Sequence, residues 1–546
     1  MLFKTGPLEN RTYLVVDDFG DMRSMIRNML MASGVKDVTL ARNGAEAIDC
    51  MDNQRFDVVL CDYNLGPGKD GQQVLEEAKH RELIGLGSVF VMITAENTRD
   101  MVMGAVEYEP DSYLTKPFNK DLLKTRLEKL IAKKQDLLPV EQAVAKHDYT
   151  LAVKILDEKI ANKPPGSNEL KKIKAELCLS AGKTEQARKV YEDILSVREL
   201  PWASLGLGKI LYREKAYTDA QAQLEKLIEQ YPNYTAAYDW LAKCYKSQNQ
   251  LAEAQQTLQK AAEISPKAVL RQQMLGEVAL LNKDDKVAES AFTKAVSHGR
   301  HSVYKHPSNY ANLAKVSAKT QNAETGLKVL KDMKREFHKE PKADLFMATA
   351  ESVIQEAMGK PDAAKAALER AAEIYENLDE NSPTDCSIEL AKTYKTLDME
   401  EKSIELLKAA VINNHTDDSL IDEIKQTMTS LDIQEDALGS IDAMRDEVAS
   451  LNKKGVELAR KGKLEEAISL LKETSERMPA NKVVNLNTAL VLLMDMERKN
   501  FSVESIDEIN VYLNRVAKAE PNNPTLKKLQ TRLKTAIQTS GTRETS

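Results

Sequence analysis

Glycine, proline and aromatic residues are scarce in this chain. Its 546 residues include 22 glycines, 17 prolines and 5% aromatics, whereas 29% are charged. Few helix breakers among abundant charged residues favour a mostly helical, soluble protein. The length alone suggests three or four ordinary domains, unless much of the chain is a repeat array that grows without starting new cores.

Paired cysteines are absent as well. The five cysteines are odd in number, widely spread and never in a C-x-x-C pair: Cys50, Cys61, Cys178, Cys244 and Cys386. This usage is typical of reduced thiols in a cytosolic protein and argues against structural zinc.

Long apolar runs are also missing, and none approaches the ~18 residues of a membrane helix. Residues 1–12 lack the basic start and apolar core of a signal peptide. We therefore expect a cytoplasmic protein without membrane insertion. The net charge of −7 argues weakly against nucleic-acid binding, which usually needs a concentrated basic face.

Residues 11–134 alternate short apolar runs with helical patterns. Helices are predicted near 21–33, 44–53, 71–82, 98–107 and 119–134, and strands at Tyr13–Val16, Val38–Ala41, Asp57–Cys61, Ser88–Ile93 and Ser112–Thr115. This alternation predicts a five-stranded parallel sheet covered on both faces. In such sheets, ligands bind at the carboxyl ends of the strands.

A period of about 34 residues, the tetratricopeptide spacing, replaces this pattern after residue 135. The clearest units are 201–234, 235–268, 269–302 and 448–481, with more degenerate ones starting near 133, 168, 307, 345 and 384. Small residues such as Gly208, Ala242 and Gly276 let paired helices approach closely. Large residues such as Leu224 and Phe292 fill the space between repeats.

About nine or ten helical units are expected, forming an all-α superhelical solenoid. We divide the chain into an α/β domain at 1–134, a repeat array at 135–523, and a capping helix with a frayed tail at 524–546. The unit from 482 carries an insertion around 499–504, and 420–446 is predicted to be helical without the repeat signature.

Polar residues follow four of the predicted strands. Asp17 and Asp18 follow the first strand, Asp62 the third, Thr94 the fourth and Lys116 the fifth, so all five should meet at one sheet edge. Three carboxylates in one pocket repel one another unless a cation is present, and a hard ion held by oxygen suits Mg²⁺. A carboxylate beside Mg²⁺ and lysine is suited to attack a phosphoryl group.

The motifs around these residues resemble the chemotaxis-type receiver of two-component response regulators. The matching segments are Leu14–Phe19, Met22–Asn28, Leu60–Leu65, Asp70–Gly71, Thr94–Ala95 and Tyr113–Phe118. The resemblance covers residues 11–134 and implies a flavodoxin-like fold of five β–α units.

The resemblance also implies a role for each residue. Asp62 would be the phosphoacceptor, and Asp17, Asp18, Asp62 and the backbone carbonyl of Asn64 would hold Mg²⁺. Thr94 and Lys116 would bind the phosphoryl group. Tyr113 would be an aromatic switch, on a face of the fourth helix, fifth strand and fifth helix that changes partners.

One departure lies just after Asp62. Members of the family usually have proline four residues and glycine eight residues after the phosphoacceptor, whereas here Pro67 and Gly71 follow at five and nine. The loop is therefore expected to be one residue longer, which puts its shape and the phosphoryl lifetime in question.

Simpler interpretations exist for several features. The aspartates could be ordinary surface charges, Tyr113 a half-buried strand aromatic, and Trp202 and Trp240 packing residues. His298, His301 and His306 are expected in a solvated loop rather than a metal site. For a peptide groove on the concave face of the array, the candidates are Lys209, Tyr238, Asn309 and Asn312.

The sequence therefore predicts a non-enzymatic signalling adaptor. A histidine kinase or phosphotransfer protein would phosphorylate Asp62, and the repeats would change their protein contacts or self-association. The alternative is a scaffold whose receiver is a fixed docking or dimerisation module. A transcription factor is disfavoured because the net charge is acidic and no DNA-binding motif is present.

Overall fold

The computed structural model describes most of the chain. The described residues are 8–95, 109–135, 137–146, 148–162, 167–378, 384–431, 433, 435–499, 503–521 and 523–541. The helix predicted near 98–107, half of the predicted insertion around 499–504 and most of the predicted frayed tail lie outside them.

Five parallel strands form one sheet in the N-terminal part of the chain. They are β1 (Thr12–Val16), β2 (Asp37–Ala41), β3 (Val58–Asp62), β4 (Val89–Thr94) and β5 (Ser112–Thr115). The strand order is β2-β1-β3-β4-β5, and every neighbouring pair is parallel. This is the flavodoxin-like order, so the predicted fold class is confirmed.

Helices pack on both faces of this sheet. Those described are α1 (Gly20–Met31), α2 (Gly44–Asn53), α3 (Gly71–His80) and α4 (Lys120–Gln135). Successive strand residues point to opposite faces, so Tyr13 and Val15 join one hydrophobic cluster and Leu14 and Val16 the other. Both faces are apolar, which explains why the strands read as continuous hydrophobic runs.

Helices alone follow the sheet in the rest of the described chain. The first ten are α5 (Leu138–Ala145), α6 (Tyr149–Asn162), α7 (Asn168–Ser180), α8 (Thr184–Leu195), α9 (Pro201–Arg213), α10 (Tyr217–Gln230), α11 (Thr235–Ser247), α12 (Leu251–Ile264), α13 (Val269–Leu281) and α14 (Asp285–Gly299). Consecutive helices pair as hairpins, as the 34-residue period predicts.

The remaining helices continue this pattern with one irregularity. They are α15 (Pro307–Thr320), α16 (Ala323–Glu336), α17 (Pro341–Ala357), α18 (Pro361–Asn377), α19 (Thr384–Thr396), α20 (Glu400–Asn413), α21 (Asp418–Ser430), α22 (Glu435–Arg460), α23 (Leu464–Arg477), α24 (Lys482–Arg498), α25 (Val503–Ala519) and α26 (Pro524–Gly541). The irregularity is α22, a 26-residue helix. The unit predicted at 448–481 therefore starts inside a longer helix, which continues through Gly439 and has no proline to end it before residue 448.

Glycines in the hairpins face large side chains of the paired helix. A Cβ on Gly208 would lie 3.0 Å from Leu224, and one on Gly276 would lie 2.7 Å from the ring of Phe292. Both contacts are tight for a real Cβ. The close approach predicted from the small residues is therefore present, and the large residues also pack within their own hairpin.

A left-handed residue recurs at the turn of seven hairpins, two positions before the second helix. These residues, with positive φ, are Gly182, Lys215, Asn249, Lys283, Gly359, Asp398 and Gly462. In the unit of α13 and α14, the backbone N–H groups of Lys283 and Asp284 donate to the carbonyls of Leu280 and Ala279. The turn thus satisfies carbonyls at the end of the first helix.

The described residues divide into two compact units, residues 1–306 and 307–546. In the first unit the sheet domain adjoins the first hairpin through Leu86, which packs against the cluster containing Leu137 and Val140. The Glu141 carboxylate accepts a hydrogen bond from the Gly87 backbone N–H at 2.8 Å. In the described part of the chain, no helix has the length and apolar character to cross a membrane.

Candidate functional site

The carboxyl ends of β1 and β3 lie side by side in the sheet. Strand order reverses here, since β1 pairs with β2 on one side and with β3 on the other. Parallel sheets of this kind leave a crevice at that point. Asp17 and Asp18 directly follow β1, and Asp62 ends β3, so the acidic residues line this crevice.

Three carboxylates gather there. Oxygen atoms of Asp17, Asp18 and Asp62 lie within 4.8 Å of one another. Asp17 and Asp62 are buried, with 0% and 6% of their surfaces exposed, whereas Asp18 is exposed. Carboxylate oxygens are the donors that Mg²⁺ prefers, and one exposed side leaves room for the waters it retains. The donor set therefore fits a hard divalent cation.

Lys116 lies between the two buried carboxylates. Its Nζ is 2.9 Å from Asp17 Oδ2 and 2.8 Å from Asp62 Oδ1. Burial alone would lower the pKa of Lys116, but hydrogen bonds to Asp62 and Asp17 outweigh burial and raise it. The lysine is therefore a fixed cation at the site.

Burial shifts the pKa of Asp62 in the opposite direction from that of Lys116. Burial raises its pKa, the hydrogen bond and charge of Lys116 lower it, and the negative charges of Asp17 and Asp18 add to the rise. The pKa of Asp62 is raised overall because one lysine does not offset burial among three carboxylates. A second cation would favour the ionised form.

A backbone N–H and an arginine side chain hold Asp17 in place. The Phe19 N–H donates to Asp17 Oδ1 at 2.9 Å, and Arg23 Nη1 donates to the Asp17 carbonyl oxygen at 2.5 Å. Arg23 was not identified as a site residue from the sequence. Its position one turn into α1, shortly after Asp17 and Asp18, could have indicated that it lies near the site.

The other predicted site residues lie around this crevice. Thr94 ends β4 with 3% of its surface exposed, and its carbonyl oxygen accepts a hydrogen bond from Lys116 N at 2.7 Å. Tyr113 is half-buried on β5, and burial raises its pKa. Asn64 is exposed, and its side-chain Oδ1 accepts from the Gly66 N–H at 3.4 Å. Their roles in binding or switching stay predictions.

The loop between β3 and α3 has two left-handed glycines, Gly66 and Gly68, with φ of 71° and 112°. It ends at Asp70, whose side chain caps α3 by accepting the Gln73 N–H at 2.8 Å. Gly71 follows, and its N–H donates to the Tyr63 carbonyl at 2.8 Å. The loop therefore closes back on the residue next to Asp62.

The four residues predicted to line a peptide groove differ in how exposed they are. Asn309 and Tyr238 are buried, and the Tyr238 hydroxyl donates to the Pro232 carbonyl at 2.9 Å, so the prediction that they line an open groove is wrong. Asn312 is half-buried. Lys209 lies over the Trp240 ring, with Nζ 5.4 Å from its centroid.

The histidine-rich turn also differs from expectation. His298 lies in α14 and is half-buried, as is His306, whereas His301 is exposed, so the predicted solvated loop is confirmed only in part. Ser302 in this turn is 6% exposed and contacts the sheet domain. Within the described ranges, the three aspartates are the group of acidic, histidine or cysteine side chains placed to hold a metal ion.

Two family models match the chain. The response regulator receiver domain matches residues 13–128, and the tetratricopeptide repeat matches residues 211–276. Both lie in the regions where the sequence predicted them.

Similar proteins include several chemotaxis proteins. The chemotaxis protein CheY of Pseudomonas aeruginosa is 33% identical over 117 residues, which is 21% of this chain and 93% of that protein. Chemotaxis protein CheY-3 of Vibrio cholerae is 33% identical over 128 residues, covering 22% of this chain and 92% of its own. The solved structure of the chemotaxis response regulator CheY4 of Vibrio cholerae is 26% identical, and the match covers 22% of this chain and 98% of that one, with a TM-score of 0.21.

Proposed function

Because the chain belongs to the response-regulator receiver family and carries tetratricopeptide repeats after its receiver domain, we propose that it is a phosphorylation-controlled adaptor. Asp62 accepts a phosphoryl group from a sensor histidine kinase or phosphotransfer protein. The repeats then convey the signal by protein contact, so the output needs no second catalytic domain. The protein acts in the cytoplasm and binds neither nucleic acid nor membrane.

Receiver domains bind Mg²⁺ at an acidic pocket, and the donors here fit that ion. Asp17, Asp18, Asp62 and the Asn64 carbonyl would hold it, and the ion would neutralise charge on the phosphoryl oxygens. An Asp62 carboxylate oxygen forms the new bond to phosphorus as the bond to the donor nitrogen breaks. Lys116 and the Thr94 hydroxyl stabilise the added oxygens, and Tyr113 turns inward in response.

The observation that carries this proposal is the position of Lys116. Its ammonium group pairs with Asp17 and Asp62 at 2.9 and 2.8 Å, in a crevice where Asp18 supplies a third carboxylate. A purely structural ion pair would match one carboxylate to one lysine, whereas three carboxylates lie in the crevice with this lysine. A surplus of two carboxylates is costly unless a further cation binds.

Phosphorylation of the full chain tests the proposal. We expect phosphoramidate or acetyl phosphate with Mg²⁺ to add one phosphoryl group, detected by intact mass. Asp62→Asn should abolish the addition, whereas Asp49→Asn, an exposed carboxylate on α2, should leave it unchanged. An unmodified wild type, or equal labelling of the Asp62 variant, would refute the proposal.

The second candidate is a scaffold with a receiver that does not switch. The observation in its favour is the joint between the receiver and the first hairpin, where Leu86 and Glu141 make specific contacts. A pull-down comparing wild type with Asp62→Asn, with and without phosphorylation, separates the two. Identical partners and identical self-association in every sample would favour the scaffold.

A further inference from the structure

The loop that follows Asp62 contacts the repeats as well as the acidic site. Lys69 Nζ donates to the His301 carbonyl at 2.8 Å, and Gln73 Nε2 donates to the His298 carbonyl at 3.1 Å. Lys267 lies over the Tyr63 ring, with Nζ 5.6 Å from the centroid. We call these pairs, with those described next, the docking contact.

The centre of the docking contact is a buried polar pair on α3 and the turn after α14. Ser302 Oγ donates to Glu76 Oε2 at 2.5 Å, and each residue has 6% of its surface exposed. A turn further along α3, His80 meets the Tyr304 ring edge-on at 5.4 Å. A carboxylate buried to this degree needs its hydrogen bonds, so the pair specifies how the two surfaces meet.

The same loop is tied to the acidic cluster on its other side. Tyr63 directly follows Asp62, and its carbonyl accepts the Gly71 N–H. A Cβ placed on Gly66 would lie 3.4 Å from Asp18 Oδ2. Residues 63–71 are therefore held between two sets of groups, the carboxylates at one end of the sheet and the repeat segment 267–304.

Electrostatics add to this arrangement. Burial raises the pKa of Asp70, whereas the Gln73 N–H and the Lys267 ammonium favour its charged form. Asp70 caps α3, so a cation from the repeats helps to stabilise the helix that makes the docking contact.

We propose that the repeat segment 267–304 is the receiver's intrachain partner, and that the docking contact preorganises the loop for Mg²⁺ at the acidic site. The loop is docked in the structure in which the three carboxylates are already within 4.8 Å. Docking and ion binding thus favour the same loop conformation. By linkage, each strengthens the other by the same factor. The inference rests on the proposed Mg²⁺-dependent phosphorylation of Asp62.

Mg²⁺ titration of the full chain, followed by hydrogen exchange and calorimetry, tests this coupling. In the wild type, Mg²⁺ should slow exchange in peptides covering both 63–73 and 298–304. Ser302→Ala should weaken Mg²⁺ binding about 5-fold, the lower end of ordinary coupling. The matched control is Ser297→Ala, since Ser297 is exposed on α14 and its hydroxyl donates to the Lys294 carbonyl in its own helix.

A second variant, Lys267→Ala, tests the coupling if Ser302→Ala fails to fold. Lys267 is half-buried, and its removal takes away the contact with Tyr63 and a charge that favours ionised Asp70, while the Glu76–Ser302 hydrogen bond is kept. If both variants fold and bind Mg²⁺ as tightly as wild type, the coupling is refuted and the proposed phosphorylation stands. If wild type fails to bind Mg²⁺, both proposals fall.

Discussion

Gly71 packs directly against the Asp62 backbone. A Cβ at position 71 would lie 2.1 Å from the Asp62 carbonyl oxygen. The loop after Asp62 was expected to be one residue longer than the family pattern, and a glycine still lies where α3 begins against the end of β3. The extra residue is accommodated within the loop, so the close approach at its end is kept.

Gly71→Ala should therefore destabilise the receiver by about 3 kcal/mol or more, because a backbone atom cannot move aside as a side chain can. We expect faster hydrogen exchange in β3 and β4, measured by mass spectrometry. Gly20→Ala is the control in the same domain, since its nearest atom would be the flexible Arg23 side chain at 3.7 Å. Equal exchange in the two variants would contradict the prediction.

Lys116→Met should destabilise the receiver when Mg²⁺ is absent. The change leaves Asp17 and Asp62 without their shared cation, and loss of one partner from a buried pair costs about 3 kcal/mol. Added Mg²⁺ should recover more stability in this variant than in wild type, measured as the shift in thermal unfolding. If Mg²⁺ raises the unfolding temperature of the variant no more than that of wild type, these carboxylates do not bind Mg²⁺ together.

Lys283→Gly should stabilise the fifth hairpin by about 1 kcal/mol. Lys283 has a φ of 59°, where a side chain is strained and glycine is not. The control is Lys294→Gly, at an exposed interior position of α14, which should cost about 1 kcal/mol of stability as an ordinary helix substitution. Slower exchange in α13 and α14 of the first variant, and faster exchange in the second, is the expected result.

The second unit should lose stability as the pH falls below about 6.5, the ordinary histidine value. His415 is buried, and burial followed by the charge of Arg445 lowers its pKa. Asn481 Nδ2 is 2.8 Å from His415 Nδ1 and also donates to the Ile412 carbonyl, while its Oδ1 caps α24 by accepting the Val484 N–H. That arrangement makes Nδ1 an acceptor and opposes a proton there.

The unfolded chain thus binds the proton more tightly than the folded one, so the free energy of unfolding falls with falling pH. Urea unfolding between pH 7.5 and 5.5 measures the slope. His415→Gln should reduce the slope, whereas His338→Gln, at an exposed position, should leave it unchanged. The same slope in the His415 variant would contradict this assignment.

The sequence predicted those site residues that lie at the ends of strands. Asp17, Asp62 and Lys116 follow strands whose order in parallel sheets is restricted, so their meeting at one edge could be inferred from topology. The side-chain distances themselves, such as those from Lys116, required the structure.

The docking contact could not be inferred in this way. Lys69 and His301 are 232 positions apart, and their contact depends on how the receiver packs against the repeats. Tyr238 illustrates another limit, because helix position suggested an open face whereas the hydroxyl turns back to the Pro232 carbonyl. Repeat period sets which helix a residue belongs to, and packing then decides whether it is accessible.

The contact of Leu86 with the first hairpin affects whether the repeats can be separated from the receiver. Glycines flank it, and a Cβ at Gly85 or Gly87 would lie 1.9 Å from Glu141 or 2.7 Å from Leu138, so this tip fits closely against the first hairpin. The ends of a helical array usually need a polar cap to remain in solution. Here the receiver itself covers that end, and a truncated array beginning at the first hairpin would uncover Leu137 and Val140 to other chains.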